Sequence, residues 1–265
     1  MDKLERALEK ARQARAAQGG EHGAMPAQAK AFAPEVLPAS TTVVDEEVLE
    51  KNLIFAHHPK TREADLIRLL RTQILQTMRK NNFKTLAITS PNYGDGKTTL
   101  ALNLAISIAQ DVKQTILLAD LDLRKPSAHK YLGLQVDRGL VDYLAGTADV
   151  ASCLLRLPFE RLMFLPAGGR VDHSSEILSS PRMGALAHEM KMRYPDRLII
   201  YDMPPLLAQD DPLAFLPYVD AVMLVVRQGQ TQAADIKRCL EILSAAAVVG
   251  IVLNDQLSLV PSRRR

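Results

Sequence analysis

Residues Pro91 to Thr99 read Pro-Asn-Tyr-Gly-Asp-Gly-Lys-Thr-Thr and stand between two apolar runs. Before them comes Thr85-Leu86-Ala87-Ile88-Thr89, short and strand-like. After them comes Leu100 to Ala109, read as an amphipathic helix. A strand, a glycine-bearing turn and a helix in this order make an anion cradle. Glycines let backbone N–H groups turn inward, and the helix presents its positive end to the same point. Lys97 would reach the terminal phosphates of a nucleotide, and the Thr98 hydroxyl would ligate Mg²⁺. The strict loop pattern calls for glycine six residues before Lys97, where this chain has Pro91.

Two more stretches place acids at strand ends. Ile116-Leu117-Leu118-Ala119 leads into Asp120-Leu121-Asp122-Leu123-Arg124, and Leu198-Ile199-Ile200-Tyr201 leads into Asp202-Met203-Pro204-Pro205. Short apolar runs of this kind read as strands buried on both faces. Their C-terminal edge is where ligands bind in open α/β sheets. With the loop, three strand ends converge on one Mg-nucleotide site. Six apolar runs alternate with helical segments: Thr85–Thr89, Ile116–Asp120, Leu162–Leu165, Leu198–Asp202, Ala221–Val226 and Val248–Leu253. That alternation predicts an α/β fold with a doubly wound, mostly parallel sheet of the P-loop NTPase kind.

In order and spacing, these motifs resemble the cytoplasmic domain of the bacterial tyrosine kinases (BY-kinases). That family carries a Walker A loop, an Asp-x-Asp-x-Arg motif called A-prime, and a Walker B ending in Asp-x-Pro-Pro. The matching residues are Gly94–Thr99, Asp120–Arg124 and Asp202–Pro205, and the likeness extends over roughly residues 60–256. It implies an ATP-dependent protein-tyrosine kinase, with ATP and Mg²⁺ as cofactors, regulating capsule or exopolysaccharide polymerisation and export. Lys97 and the loop from Tyr93 through Gly94, Asp95, Gly96, Thr98 and Thr99 would hold the phosphates. Thr98, with Asp202 and Asp120 through water, would hold Mg²⁺. Asp120 is the candidate to orient or deprotonate the attacking hydroxyl, and Asp122 to stand further out or link to the metal. Residues two apart on a strand face opposite ways, so these two acids share a role only if the strand has ended between them. Arg227, at a strand exit, and Asn254, whose amide suits a purine edge, complete the nucleotide site. Arg124 faces either phosphate or a nearby acid.

The resemblance also implies partners. A Glu-x-x-Arg-x-x-Arg row serves ring assembly in the family; Asp65, Arg68 and Arg71 stand there on a helix over 61–80, with Asp in place of Glu. A homo-oligomer through that helix is expected. So is a separate inner-membrane chain-length regulator acting in trans. One departure bears on the substrate. The family phosphorylates a tyrosine cluster in its C-terminal tail, whereas the last tyrosine here is Tyr218. Kinase action on other tyrosines such as Tyr93 or Tyr131 therefore stands beside an ATP-driven regulator of polysaccharide export with little kinase activity. A spatial-positioning ATPase of the cell-division kind is disfavoured, because those carry a further lysine where this chain has Asn92.

The remainder bounds the setting. Residues 1–17 read as a basic amphipathic helix, 18–58 as a flexible linker holding a short helical patch at Glu46–Lys51, 59–256 as the nucleotide-binding domain and 257–265 as a basic tail. No run of about 18 apolar residues occurs, so the expected place is cytoplasmic, reaching the inner membrane through a partner. A net charge of +3 gives no footprint for nucleic acid. His57 and His58, which being adjacent could not both face one site from a helix or strand, are read as loop residues and not as ligands. In the helix over 61–80, Leu66, Leu69, Leu70, Ile74, Leu75 and Met78 are expected on one face.

Overall fold

The computed structural model describes residues 42–111, 114–194 and 196–255. The expected N-terminal helix 1–17, linker residues 18–41 and the tail 257–265 lie outside them. The strands are β1 (Thr85–Thr89), β2 (Thr115–Asp120), β3 (Leu155–Arg156), β4 (Leu162–Leu165), β5 (Arg197–Asp202), β6 (Ala221–Arg227) and β7 (Val248–Asn254). They form one sheet in the order β3-β4-β2-β5-β1-β6-β7. All neighbours are parallel except β3 and β4. β3 is the strand beyond the expected six. Its two residues are too short to carry any periodicity.

The central strands are apolar throughout because both faces are covered. β1 is buried at every position, and β2 and β5 at all but their first. One face packs the helices Arg62–Lys80 and Lys97–Ala109; the other packs Pro181–Arg193 and Ala233–Ile242. Pro181–Arg193 begins as its sequence reads, with the Ser180 hydroxyl accepting from the Met183 N–H at 3.2 Å and proline in the first turn. Among the described residues no helix is long and apolar enough to cross a membrane.

Four expectations are corrected. First, Lys97–Ala109 is not amphipathic: every residue except Thr99 is buried. The helix lies between the sheet and Arg62–Lys80, so it has no solvent face. Second, the linker does not run to residue 58. Glu46–Lys51 is a helix capped by Asp45, and Leu49, Ile54 and Ala56 enter the main core. Asn103, in the helix after the phosphate loop, accepts from the N–H groups of Phe55 and Ala56 at 2.8 and 3.0 Å and donates to the Leu53 carbonyl at 2.8 Å.

Third, Leu66 and Leu69 are each 58% exposed. The buried stripe of their helix runs through Ala64, Ile74, Leu75 and Met78 instead, with Ile67 and Leu70 packed beside it. Fourth, His57 and His58 do share a site. They lie in a turn, as the loop reading has it, yet both Nε2 atoms approach Glu46 Oε1, at 2.6 and 3.3 Å.

Candidate functional site

The sheet order sets β5 between β1 and β2, so the C-terminal ends of three strands meet. β1 delivers the phosphate loop, β2 ends on Asp120 and β5 ends on Asp202, which is paired in register with Asp120. Gly94 and Gly96 hold φ of +86° and +96°. Side chains rarely tolerate that left-handed region, and it lets the loop double back to start the helix. A Cβ on Gly96 would also overlap the Asn254 amide.

Lys97 Nζ lies 3.1 Å from Asp122 Oδ2, 3.7 Å from Asp202 Oδ1 and 3.4 Å from the Thr98 hydroxyl. Lys97, Thr98, Asp120, Asp122 and Asp202 are all buried. Burial by itself would lower the lysine pKa. Asp202, Asp122 and Asp120 outweigh that and raise it to about 12, so the ammonium stays charged. Three carboxylates around one lysine leave negative charge in surplus. Burial, then Asp202 beside it, pushes Asp120 up to about 7. Burial likewise raises Asp202, against the pull of Lys97.

The carboxylates differ in what they do. Asp120 Oδ1 accepts from the Asp122 N–H at 3.1 Å, and its Oδ2 from the N–H groups of Ser127 and Ala128 at 3.2 and 3.1 Å. Asp120 thus holds the turn after β2, and Asp122 joins it, its Oδ1 accepting from the Lys125 N–H at 3.1 Å. β2 has ended by Asp122, so the two acids escape the opposite-face rule and Asp122 comes onto Lys97. Both Asp202 oxygens are buried and, among the described residues, make no hydrogen bond of ordinary geometry. An orphaned buried carboxylate beside a threonine hydroxyl suits a hydrated divalent cation, which would satisfy those oxygens.

The other candidates stand around the loop, each bonded to protein groups. Asn254 Nδ2 donates to the Asp95 carbonyl at 2.9 Å, so its amide braces the loop. Arg227 bonds Asp255 at 2.9 Å and reaches the Gly94 carbonyl at 3.4 Å. Asp95 closes the loop on itself, accepting from the Asn92 N–H and the Thr231 hydroxyl, each at 2.9 Å. Arg124 sides with the acids: it donates to the Ser174 hydroxyl at 2.7 Å and pairs with Asp210 and Asp211 at 3.0 and 3.3 Å. Arg68 pairs with Asp65 at 2.5 Å, while Arg71 donates to the Ser107 carbonyl at 2.8 Å.

Two residues were not read from the sequence. Gln209 donates to the Tyr93 hydroxyl and lies 3.4 Å from Asp122 Oδ1. Lys125 Nζ stands 4.0 Å over the Tyr93 ring. Neither belongs to a spacing pattern; both arrive by the path of the chain after β5 and β2.

Residues 86–257 match the family described as the CobQ/CobB/MinD/ParA nucleotide binding domain. Over 208 residues the chain is 31% identical to tyrosine-protein kinase YwqD of Bacillus subtilis (strain 168), spanning 78% of this chain and 86% of that protein. It is 30% identical to tyrosine-protein kinase wzc of Salmonella typhi over 77% of this chain, but spans only 28% of that longer protein. It is 29% identical to the succinoglycan biosynthesis transport protein ExoP of Rhizobium meliloti (strain 1021), covering 74% of this chain and 25% of that one. Among solved structures, the kinase domain of Escherichia coli tyrosine kinase ETK is similar with a TM-score of 0.73 and 26% identity, covering 80% of this chain and 83% of that one.

Proposed function

The chain belongs to the bacterial tyrosine-protein kinases, within the CobQ/CobB/MinD/ParA nucleotide-binding family, and on that footing we propose that it transfers the γ-phosphoryl group of ATP to protein tyrosine and so regulates capsule or exopolysaccharide polymerisation and export. The observation that carries the reading is the convergence of Lys97 with Asp120, Asp122 and Asp202 at the ends of the strands beside the phosphate loop.

Phosphoryl transfer is mostly positioning and charge neutralisation. Lys97 and the amides of Gly94 to Thr99 bind and orient the phosphates. To take a phosphate, Lys97 gives up Asp122, and that exchange frees the Asp122 carboxylate. Asp122 then accepts the proton of the tyrosine hydroxyl, while Asp120 holds the turn that positions it. The Thr98 hydroxyl and Asp202 would hold Mg²⁺, which would supply further charge neutralisation on the phosphates. Asn254 and Arg227 keep the loop closed around them.

The partners are proposals of the same kind: an inner-membrane chain-length regulator acting in trans, and copies of this chain meeting through the helix that carries Asp65, Arg68 and Arg71. Of the six tyrosines, Tyr93 is 41% exposed and Tyr201 fully buried. Tyr93 is therefore a candidate acceptor within the chain. A second reading, an ATP-hydrolysing regulator with little kinase activity, is favoured by the Tyr93 hydroxyl being engaged by Gln209.

The test is incubation of the purified protein with Mg²⁺ and γ-labelled ATP, beside Lys97→Met. Label on tyrosine that vanishes in the variant supports the kinase. Free phosphate without labelled tyrosine favours the regulator. Equal phosphate release from both proteins removes the site assignment.

A further inference from the structure

Away from the phosphate loop, two imidazoles and a carboxylate gather where the described chain begins. Glu46 and Glu50 lie one turn apart on the helix Glu46–Lys51, and the turn at His57 and His58 folds back onto them. His57 Nε2 is 2.6 Å from Glu46 Oε1, His58 Nε2 is 3.3 Å from the same oxygen, and His58 Nε2 is 3.8 Å from Glu50 Oε1. One ligand atom from each of Glu46, His57 and His58 falls within 4.8 Å of the other two. We propose that Glu46, His57 and His58 form a site for a transition-metal dication of the Zn²⁺ class, with Glu50 placed to enter as a further ligand.

Three observations carry this. The first is convergence. Two imidazole nitrogens from adjacent residues aim at one carboxylate oxygen, with ring centroids 4.2 Å apart. A single dication accepts both neutral lone pairs and the carboxylate at once. The second is fit. Zn²⁺ bonds of about 2.0–2.1 Å in a tetrahedron put donor atoms about 3.3 Å apart. The His58–Glu46 separation already has that value. His57–Glu46 must open by about 0.7 Å, which a Glu46 side chain 56% exposed to solvent can supply. The third is charge. Asp45, Glu46, Glu47 and Glu50 stand within the seven residues 45–51, where Lys51 is the one basic residue, though Arg68 donates to the His58 carbonyl at 3.4 Å. That concentrates cations where the imidazoles wait.

The donor set selects the metal. Imidazole with carboxylate suits Zn²⁺, Co²⁺ or Ni²⁺; Mg²⁺ prefers oxygen ligands and retains its water. The site is therefore distinct in chemistry from the one beside Thr98. The His57 ring is oriented by packing against Phe159, at 5.9 Å between centroids, and against His58; its Nδ1 has no hydrogen-bond partner behind it. Bound metal would pin the turn to the helix. The segment between them is the one that bonds Asn103 of the phosphate-loop helix through Leu53, Phe55 and Ala56. The clip thus fastens the N-terminal segment to the body that carries the loop.

Co²⁺ is the probe, added without nucleotide to the metal-stripped, full-length chain lacking any affinity tag. Expected is one Co²⁺ per chain with the intense visible band of a tetrahedral site, bleached by Zn²⁺. Glu46→Gln and His58→Ala, both at partly exposed side chains, are expected to weaken binding by about tenfold or more each. The thermal midpoint of the wild type should rise with Zn²⁺ concentration and that of the double variant should not. A Co²⁺ spectrum that stays that of the aqueous ion overturns the proposal and leaves an ordinary histidine–carboxylate pair. So does a double variant that binds as tightly as the wild type.

Discussion

Lys97 Nζ and Asp122 Oδ2 are 3.1 Å apart inside the protein, with less than a tenth of either side chain exposed. The lysine offered to a phosphate therefore already has a charged partner, and nucleotide binding exchanges one anion for another. Lys97→Met removes the phosphate contact and strands Asp122 and Asp202. A charge-assisted hydrogen bond of about 1.5–3 kcal/mol corresponds to roughly tenfold to a hundredfold in affinity. A fluorescent ATP analogue is expected to bind the variant at least that much more weakly.

Asp122→Asn and Asp202→Asn should separate. Asp122 competes for Lys97, so its neutral variant is expected to bind nucleotide as well as the wild type or better, while phosphotransfer falls by about a hundredfold as the proton acceptor is lost. Asp202 makes no hydrogen bond of ordinary geometry among the described residues. Its variant should bind nucleotide nearly normally without metal but require more Mg²⁺ for half-maximal turnover. Equilibrium binding and turnover measured across a Mg²⁺ titration read both.

Asn254→Ala deletes the bond from the last strand to the Asp95 carbonyl. One such bond contributes about 0.5–1.5 kcal/mol, so affinity for nucleotide should fall about two- to tenfold through a looser loop. The thermal midpoint should move little. A large drop in that midpoint without loss of affinity would contradict the bracing role.

Asp220 ties the start of β1 to β6. Its Oδ2 accepts from the N–H groups of Lys84 and Thr85 at 2.8 and 3.1 Å, and its Oδ1 pairs with Lys191. Burial opposes the charge, but the Lys191 ammonium and these N–H groups prevail and hold the carboxyl below its usual pKa of 3.8. The stabilisation is present in full above pH ~4 and is lost as pH falls through the depressed folded value, since the unfolded chain takes the proton first. Urea midpoints of wild type and Asp220→Asn should differ clearly at pH 7 and converge toward pH 3.

Leu49→Ala tests the corrected domain boundary. Leu49 is fully buried against the core, and a leucine-to-alanine change there costs about 2–5 kcal/mol. A chain starting after residue 58 should lose at least as much. Equal urea midpoints for wild type and variant would return this segment to the linker.

Much of this was legible in the residues. Five central strands are buried on both faces, so they carry unbroken apolar runs whatever their neighbours, and the acids at their ends announce themselves. The phosphate loop is likewise local, because glycine conformation and a helix start depend on adjacent residues. Less legible were elements whose meaning lies in a partner. Leu66 and Leu69 satisfy the helical spacing as well as Ile74 and Leu75 do; only the position of the Lys97–Ala109 helix turns one pair outward and the other in. The short helix at Glu46 is legible as a helical patch, but only the bonds from Phe55 and Ala56 to Asn103 make it part of the domain.

By itself, then, the sequence determined the doubly wound sheet, the loop at the end of β1 and which acids stand at the strand ends, because periodicity and chain direction are properties of adjacent residues. Only the tertiary structure decided what each acid does. Asp120 and Asp122 differ because one carboxylate meets three backbone N–H groups, while the other meets one, that of Lys125, and the Lys97 ammonium. That difference depends on where the turn through Ser127 and Ala128 comes back to β2, which no pattern of spacing records.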